Sequence, residues 1–228
     1  YGISTNPESF AYHGYRRYFT DKYRNAVMRL SRDGLTEISQ YGMSDFFRDQ
    51  LADISSVFKE FTVQATIAGS GSNPSRLTVN PSADLIHLEK GMVVSIPQSS
   101  GSNISATIVS IIQTNILYLS NDPGTPAVGQ LATFTKFIKD RIVGGWDAYN
   151  NNYVVSMQDK AEDPEAQDTY NTLSFEDDIN AWTSFYTYEP DFVASLKNKY
   201  YSFHNADIYV NYDQTQGHIR STFYGVTD

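Results

Sequence analysis

Length, composition and charge narrow the class of this protein before any motif is considered. The 228 residues suit one large or two small domains, the absence of cysteine excludes disulfides and thiolate metal sites, and the net charge of −9 argues against general nucleic-acid binding. No apolar run approaches the ~20 residues of a membrane-spanning helix, so no membrane span is predicted. The chain begins with Tyr1 rather than Met, from which we expect a processed product or a fragment of a longer protein.

The N-terminal part predicts a series of β-hairpins. β-forming runs follow Arg16, and the pair Asp33-Gly34 separates two of them in the way a tight turn does. The same part is basic, since the segment from Tyr1 to Arg32 holds six Lys and Arg residues against two acids. Such a basic segment indicates either a contact with an acidic surface of a neighbouring subunit or an ordinary solvated strand edge.

One short helix is predicted after Gly42. Ser44 is a suitable N-cap and Asp45 favours the first turn. Apolar residues then recur at the spacing of one helical face, which predicts a helix that closes the end of a sheet. These residues are Phe47, Leu51 and Ile54.

The composition changes abruptly at about residue 61. The 72 residues from Thr62 to Thr133 contain a single aromatic residue, Tyr118, and five charges. Short β-branched runs separated by Gly-Ser, Asn-Pro and Pro-Gly pairs predict a small β-sandwich or barrel there. We therefore expect residues 62–133 to be a domain inserted into a discontinuous aromatic-rich β-domain, which residues 1–61 and 134–228 form.

Three further hairpins are predicted between Arg141 and Tyr212. In each, an aromatic and β-branched run meets a few Asn, Asp or Ala residues before a second such run begins, as happens from Asp147 to Asn152. Consecutive hairpins predict an antiparallel meander, and its many rings predict sheets that stack through aromatic faces. The expected fold is all-β: an aromatic-rich hairpin meander with one short helix and an inserted small β-sandwich or barrel.

No catalytic constellation is recognisable in the sequence. The four histidines never fall at metal-ligand spacing, and the chain lacks nucleophile-elbow, phosphate-loop and dinucleotide-binding motifs. We therefore predict no catalytic residue and no cofactor site. The histidines are His13, His87, His204 and His218.

One acidic cluster is a weak candidate for a metal site. Glu176, Asp177 and Asp178 fall in a predicted hairpin turn, and oxygen-rich loops of this kind supply ligands to calcium. The alternating Asp spacing of a calcium-binding loop is absent. A solvated turn is therefore the favoured interpretation, and no metal site is predicted.

Several aromatic residues are candidates either for sugar binding or for the core. Trp146, Trp182 and Tyr186 lie in the predicted hairpins, where exposed rings stack on sugars. Sheets rich in aromatic residues fill their own cores first, however. We therefore interpret these three residues, together with Tyr200, as structural aromatics.

Parts of the sequence resemble large structural proteins of tailed bacteriophages. The segments that carry the resemblance are Asp21-Lys-Tyr-Arg-Asn-Ala-Val-Met-Arg-Leu30, Ile142-Val-Gly-Gly-Trp-Asp147 and Ser195-Leu-Lys-Asn-Lys-Tyr-Tyr-Ser-Phe203. Proteins of this kind are tail, nozzle or neck components, often with propeller-like β-domains, so the resemblance implies a propeller-like meander. A blade takes ~40 residues, so the chain outside the insertion supplies too few blades for a closed ring. The family carries no catalytic motif.

The predicted function is that of a non-enzymatic virion structural protein of a tailed bacteriophage, an assembly component of the tail, nozzle or baseplate. Its expected partners are further copies of itself in a symmetric ring and other virion tail proteins. The alternative is a secreted or surface carbohydrate-binding or carbohydrate-cleaving β-protein. A binding module exposes several aromatic residues in one concave patch, whereas an assembly protein buries them.

Overall fold

The computed structural model describes residues 6–55, 57–72, 74–163, 166–204 and 207–212, together with two short strands near the C-terminus. In this part of the chain there are nineteen β-strands, one α-helix and three short 3₁₀-helices. The all-β fold class predicted from the sequence is therefore confirmed. No helix in these ranges has the length and the apolar character needed to cross a membrane.

The chain divides into two compact units, which are described separately. The sheet unit contains residues 1–57, 139–160 and 168–228, and the barrel unit contains residues 58–138 and 161–167. Independent folding of the predicted insertion stays a prediction.

The sheet unit begins with a four-stranded antiparallel meander, the first sheet. Its strands follow one another in space as they do in sequence, and the hairpin predicted at Asp33-Gly34 is present between the last two. The strands are β1 (Ala11–His13), β2 (Arg16–Asp21), β3 (Ala26–Ser31) and β4 (Gly34–Glu37). Short 3₁₀-helices lie before and after this sheet, at Pro7–Ser9 and Ile38–Gln40.

The predicted helix is present as α1 (Ser44–Asp53), and Phe47 and Leu51 are buried in the core. The expectation that Ser44 caps it is wrong, because the Phe47 N–H already bonds the carbonyl oxygen of Met43 and makes Met43 the N-cap. At the other end Lys22 Nζ donates to the carbonyl oxygen of Leu51 and, at 3.1 Å, to that of the next residue. A side chain from the turn between β2 and β3 therefore satisfies two of the last carbonyl groups of the helix.

The barrel unit is a closed barrel of six antiparallel strands in the order β10-β5-β6-β9-β8-β7. Strand β5 pairs with β10 along its first part and with β6 from Ile67 onward, and the β5–β6 pairing shifts register between Ile67 and Gly69. Alternate residues of β5 fill the core, as the period of two requires. The strands are β5 (Lys59–Ser72), β6 (Ser75–Val79), β7 (Val93–Ile96), β8 (Ile104–Ile112), β9 (Ile116–Leu119) and β10 (Leu131–Ile138), with a 3₁₀-helix at Ala83–His87.

Two more antiparallel meanders complete the sheet unit. The hairpin predicted around residues 147–152 is present, and each sheet again keeps the order of the sequence. The second sheet contains β11 (Arg141–Asp147), β12 (Asn152–Asp159), β13 (Thr169–Glu176) and β14 (Ala181–Tyr186). The third sheet contains β15 (Phe192–Leu196), β16 (Lys199–His204) and β17 (Asp207–Asn211), and β18 (Thr222–Phe223) pairs with β19 (Val226–Thr227).

The central strand β12 of the second sheet is buried on both of its faces. Tyr153, Val155 and Met157 of β12 belong to a core shared with the first sheet and α1. Val154 points the other way, into a core shared with the third sheet. Strand β12 is therefore apolar or buried along nearly its whole length, with no solvated face.

Two adjacent glycines of β11 allow both neighbours to come close to the second sheet. A Cβ atom on Gly144 would lie 2.2 Å from the carbonyl oxygen of Ser9, and one on Gly145 would lie 2.3 Å from Cγ2 of Val193. Because successive residues of a strand point to opposite faces, one glycine admits the N-terminal segment and the other admits the third sheet. The buried phenol of Tyr153 donates to the same Ser9 carbonyl at 2.7 Å, so this close contact also satisfies a polar group.

We expect Gly144→Ala to destabilise the chain by about 3 kcal/mol, because the new methyl group would meet backbone that cannot rotate away. Gly145→Ala should be milder, at about 1 to 2 kcal/mol, because the Val193 side chain can move. In urea titrations, Val193→Ala should lower the free energy of unfolding by less in the Gly145→Ala background than in the wild type. In the Gly144→Ala background it should lower that free energy by as much as in the wild type. Equal rescue of both glycine variants would contradict their placement on opposite faces.

We also expect the sheet unit to keep one cooperative unfolding transition when residues 58–138 are replaced by a short Gly-Ser linker. Lys59 and Ile138 are cross-strand partners, so the two ends of the deleted segment are adjacent and a short linker spans them. Circular dichroism during thermal unfolding of the deletion variant measures this, with residues 58–138 expressed alone as the matched experiment. Loss of cooperativity in the deletion variant would show that the sheet unit needs the barrel to fold.

Candidate functional site

The carboxylate of Asp177 connects the second sheet to the first. Asp177 lies in the turn after β13, is only 4% exposed, and receives Arg16 and Arg29 at nitrogen–oxygen distances of 2.5 Å each. The hydroxyl of Tyr18 donates to the same carboxylate, and Arg29 also donates to Asn180 Oδ1 at 3.0 Å. Burial, reinforced by the hydrogen bond to Asp177, raises the pKa of the Tyr18 phenol, so Tyr18 stays a neutral donor.

This network gives Asp177 a role other than metal binding. Both of its oxygens already accept from cations, and two guanidinium groups beside them would repel a calcium ion. The other two candidates differ in exposure, since Glu176 is half-buried at the end of β13 and Asp178 is exposed in the turn. Within the described ranges, no group of three or more His, Asp or Glu side chains is placed to hold a metal ion, and His218 lies outside those ranges.

The structure places the four candidate aromatics in or beside the cores of the sheet unit. Trp146 and Tyr200 are buried, and Trp182 and Tyr186 are half-buried. The Trp146 ring stacks on the ring of His13, with centroids 4.3 Å apart. Trp182 packs against the core and donates its indole N–H to a backbone carbonyl at 3.0 Å. Both indole rings therefore contribute to packing in the core of the sheet unit.

Tyrosines gather around Asp147 at the end of β11. The buried Asp147 carboxylate accepts the backbone N–H groups of Tyr149 and Asn150, at 2.9 and 3.2 Å, which is how an Asp residue stabilises a turn. The Tyr149 ring stacks on Tyr212, which stacks in turn on Tyr200, with centroid distances of 5.3 and 6.3 Å. Burial raises the pKa of the Asp147 carboxyl, while its hydrogen bonds oppose that shift. The sequence indicated the turn but not the stack, whose members are far apart along the chain.

The third sheet has an exposed apolar face. Val193 and Tyr200 occupy the opposite side and pack on the second sheet. Strand register aligns the exposed residues in rows, and Phe192, Leu196 and Ile208 are 57%, 64% and 63% exposed. We term this surface the third-sheet face; it consists of Phe192, Ala194, Leu196, Tyr201, Phe203, Ile208 and Val210, with Lys199 at one end as the cross-strand partner of Leu196.

The first sheet also has an exposed face, of different composition. Cross-strand register places Tyr12, Arg17, Leu30 and Leu35 in one row across all four strands. Tyrosine rings and guanidinium groups pair on this surface: the Arg17 guanidinium lies 5.5 Å from the Tyr12 ring centroid. The first-sheet face, as it is called below, consists of this row together with Tyr15 and Arg32, which pair in the same way at 3.6 Å.

Sequence reasoning did not identify either exposed face. Both faces of these strands carry large apolar residues, so the alternation that normally separates a buried side from a solvated side is missing. The strand positions were predictable, but which side is covered depends on packing between sheets that are distant in the chain.

Comparisons with known proteins identify no family for this chain. No family model matches the sequence, and no curated protein matches it. A solved structure of a phage phi92 endosialidase is similar over 85% of this chain, with 12% sequence identity and a TM-score of 0.25. The chain spans 32% of the length of that protein. A TM-score this low carries no argument about fold or function.

We expect Asp177→Asn to destabilise the chain by about 3 kcal/mol or more, because Arg29 would keep a buried charge without its counter-ion. Arg16→Gln should lose at most about 1 kcal/mol, since the Arg16 side chain is 45% exposed and that of Arg29 is 14% exposed. Urea titrations provide the measurement. As a control, Arg48→Gln removes an exposed ion pair with Asp45 and should leave the midpoint unchanged. Indistinguishable midpoints for Asp177→Asn and the control would show that the cluster does not hold the sheets together.

Proposed function

We propose that this chain is a non-enzymatic structural protein of a tailed-bacteriophage virion, an assembly component of the tail, nozzle or baseplate. Two supports of different kinds favour the proposal. The first is the sequence resemblance to phage tail, nozzle and neck proteins, carried by the segments that begin at Asp21, Ile142 and Ser195. The second is a physical property of the sheet unit, which exposes large apolar and aromatic side chains on each of its two outer sheets.

These two exposed faces are the observation on which the proposal depends most. Soluble monomers rarely expose a contiguous apolar patch unless something binds there. Strand register aligns the exposed side chains in rows, so each patch follows the surface of a sheet. Such a surface suits contact with another protein surface, whereas small molecules bind in concave sites.

The arrangement of the sheets supports assembly of several copies into a ring. Successive antiparallel meanders pack face to face in the sheet unit, as the blades of a propeller do. The described part of the unit supplies three such sheets, fewer than a closed propeller contains. Neighbouring copies and other tail proteins would then cover the outer faces, in a symmetric assembly within the virion.

The proposed lack of catalysis is supported by the contacts of three charged side chains of the sheet unit that have little exposure to solvent. Asp177 is neutralised by two arginines, and Asp147 stabilises a turn. Lys160 is held by Asp168 at 2.8 Å and by Glu189. Each of these groups connects parts of the fold.

A carbohydrate-binding role is the second candidate, and the exposed rings of Tyr12 and Tyr15 favour it. Sugars stack on exposed aromatic rings of this kind. Each ring is, however, already paired with a guanidinium group, from Arg17 and Arg32 respectively. A glycan would therefore have to use the opposite ring face or displace an arginine.

The proposed function is tested on particles purified from the phage that encodes the chain. We expect mass spectrometry to detect the chain in gradient-purified particles, and electron microscopy with specific antibodies to place it on the tail. Absence from such particles would reject the virion assignment.

Incubating the purified protein with surface polysaccharides of the host tests the two alternatives. We expect neither cleavage nor binding. Release of reducing sugars would reject the non-enzymatic assignment, and glycan binding that is lost in Tyr12→Ala or Tyr15→Ala would favour the second candidate.

A further inference from the structure

We infer that the third-sheet face binds the first-sheet face of a second copy of the chain, so that copies associate head to tail. The inference rests on the proposed function, since it names the surfaces through which a structural protein of this kind assembles. It concerns the sheet unit and involves no residue of the barrel.

Both faces are the outer sides of sheets whose inner sides are already packed. Tyr18 and Val27 of the first sheet, and Val193 and Tyr200 of the third, contribute to the cores on either side of the second sheet. The chain thus buries two sheet-on-sheet contacts and leaves one apolar face exposed at each end. Joining the two outer faces of neighbouring copies makes a third contact of the same kind and removes both faces from water.

Charge decides which face meets which. In a two-fold pairing of first-sheet faces, Arg17 and Arg32 of one copy would approach the same residues of the other, and like charges would lose water together. The third-sheet face carries one cation, Lys199, which pairs with Leu196 in the row at one end, and its other two rows carry none. The first-sheet face is therefore better matched to the third-sheet face than to itself.

The far end of the third-sheet face is suited to arginine. Phe192 and Phe203 have ring centroids 5.5 Å apart there. Phe192 is 57% exposed, so its ring is accessible to a guanidinium group. The favourable register therefore places Arg17 and Arg32 over this end, away from the lysine.

The size of the faces implies that one contact is weak. Three strands spaced ~4.8 Å apart and ~17 Å long cover roughly 240 Å² in plan. Each partner of a standard interface buries about 800 Å². A pair of copies is therefore loosely held, whereas a closed ring gives every copy two contacts and closes without further loss of rotational freedom.

The test uses two variants of the full chain, each with one face blocked. Leu35→Asp blocks the first-sheet face and Ile208→Asp blocks the third-sheet face. Each should weaken self-association by about tenfold or more, because a carboxylate would be buried against apolar side chains. Ile86→Asp is the control, since Ile86 is 80% exposed and lies in the barrel unit.

Sedimentation equilibrium between about 10 µM and about 1 mM provides the measurement. The wild type and the control should associate equally, and each blocked variant alone should remain monomeric. An equimolar mixture of the blocked variants keeps one intact face of each kind, so it should form dimers and nothing larger. Leu35→Thr and Ile208→Thr, which suit β-strands, replace any Asp variant whose circular dichroism shows unfolding.

Dimers of either blocked variant alone would indicate a two-fold contact and overturn the head-to-tail inference. If the wild-type chain stays monomeric up to about 1 mM, no second copy binds the third-sheet face and the inference is rejected. If that monomer is nevertheless present in purified virions, the proposed function stands and only this inference fails. If the chain self-associates as described but is absent from virions, the head-to-tail contact stands and the proposed function fails.

Discussion

The close approach of the second sheet to its neighbours on both sides is the constraint on which the sheet unit depends. Its strand β12 has no solvated face, so the stability of the sheet requires cover on each side. Gly144 and Gly145 allow the covering segments to approach closely, because neither glycine has a side chain that would meet the N-terminal segment or Val193. The Tyr153 side chain is buried in the core on the side of the first sheet, and its hydroxyl donates to the carbonyl oxygen of Ser9. These two glycines thus determine how closely the N-terminal segment and the third sheet can approach the second sheet.

Buried polar groups hold the same elements together by a different means. Asp177 receives two arginines from the first sheet, and Lys22 of that region reaches the end of α1. The sequence indicated that the basic N-terminal segment contacts an acidic surface of a neighbouring subunit or forms a solvated strand edge. Two of its arginines instead pair with a carboxylate of the same chain. A contact between copies would have to draw on the charges that remain, so it would depend more on the exposed rows of apolar residues than on net charge.

Much of the fold could be predicted from the sequence, because its signals are local. Turn residues such as Asp33-Gly34 and Asp147 mark hairpins, and the spacing of Phe47 and Leu51 marks the one helix. The cap of that helix was predicted wrongly, since a backbone bond to Met43 extends the helix by one residue past the side-chain signal. The role of Asp177 could not be predicted at all. Its partners come from strands near the other end of the chain, and only packing between sheets brings them together.

The two outer faces differ from one another, and this difference governs the kind of assembly that the sheet unit can build. Identical faces would pair about a two-fold axis and stop at two copies. A face of tyrosine and arginine at one end and a face of phenylalanine and aliphatic residues at the other instead allow each copy to bind two neighbours. Because β-sheets are twisted, stacking one on the next rotates each copy relative to the last. A repeated rotation either closes or continues without end, and closure into a ring leaves no apolar face in water.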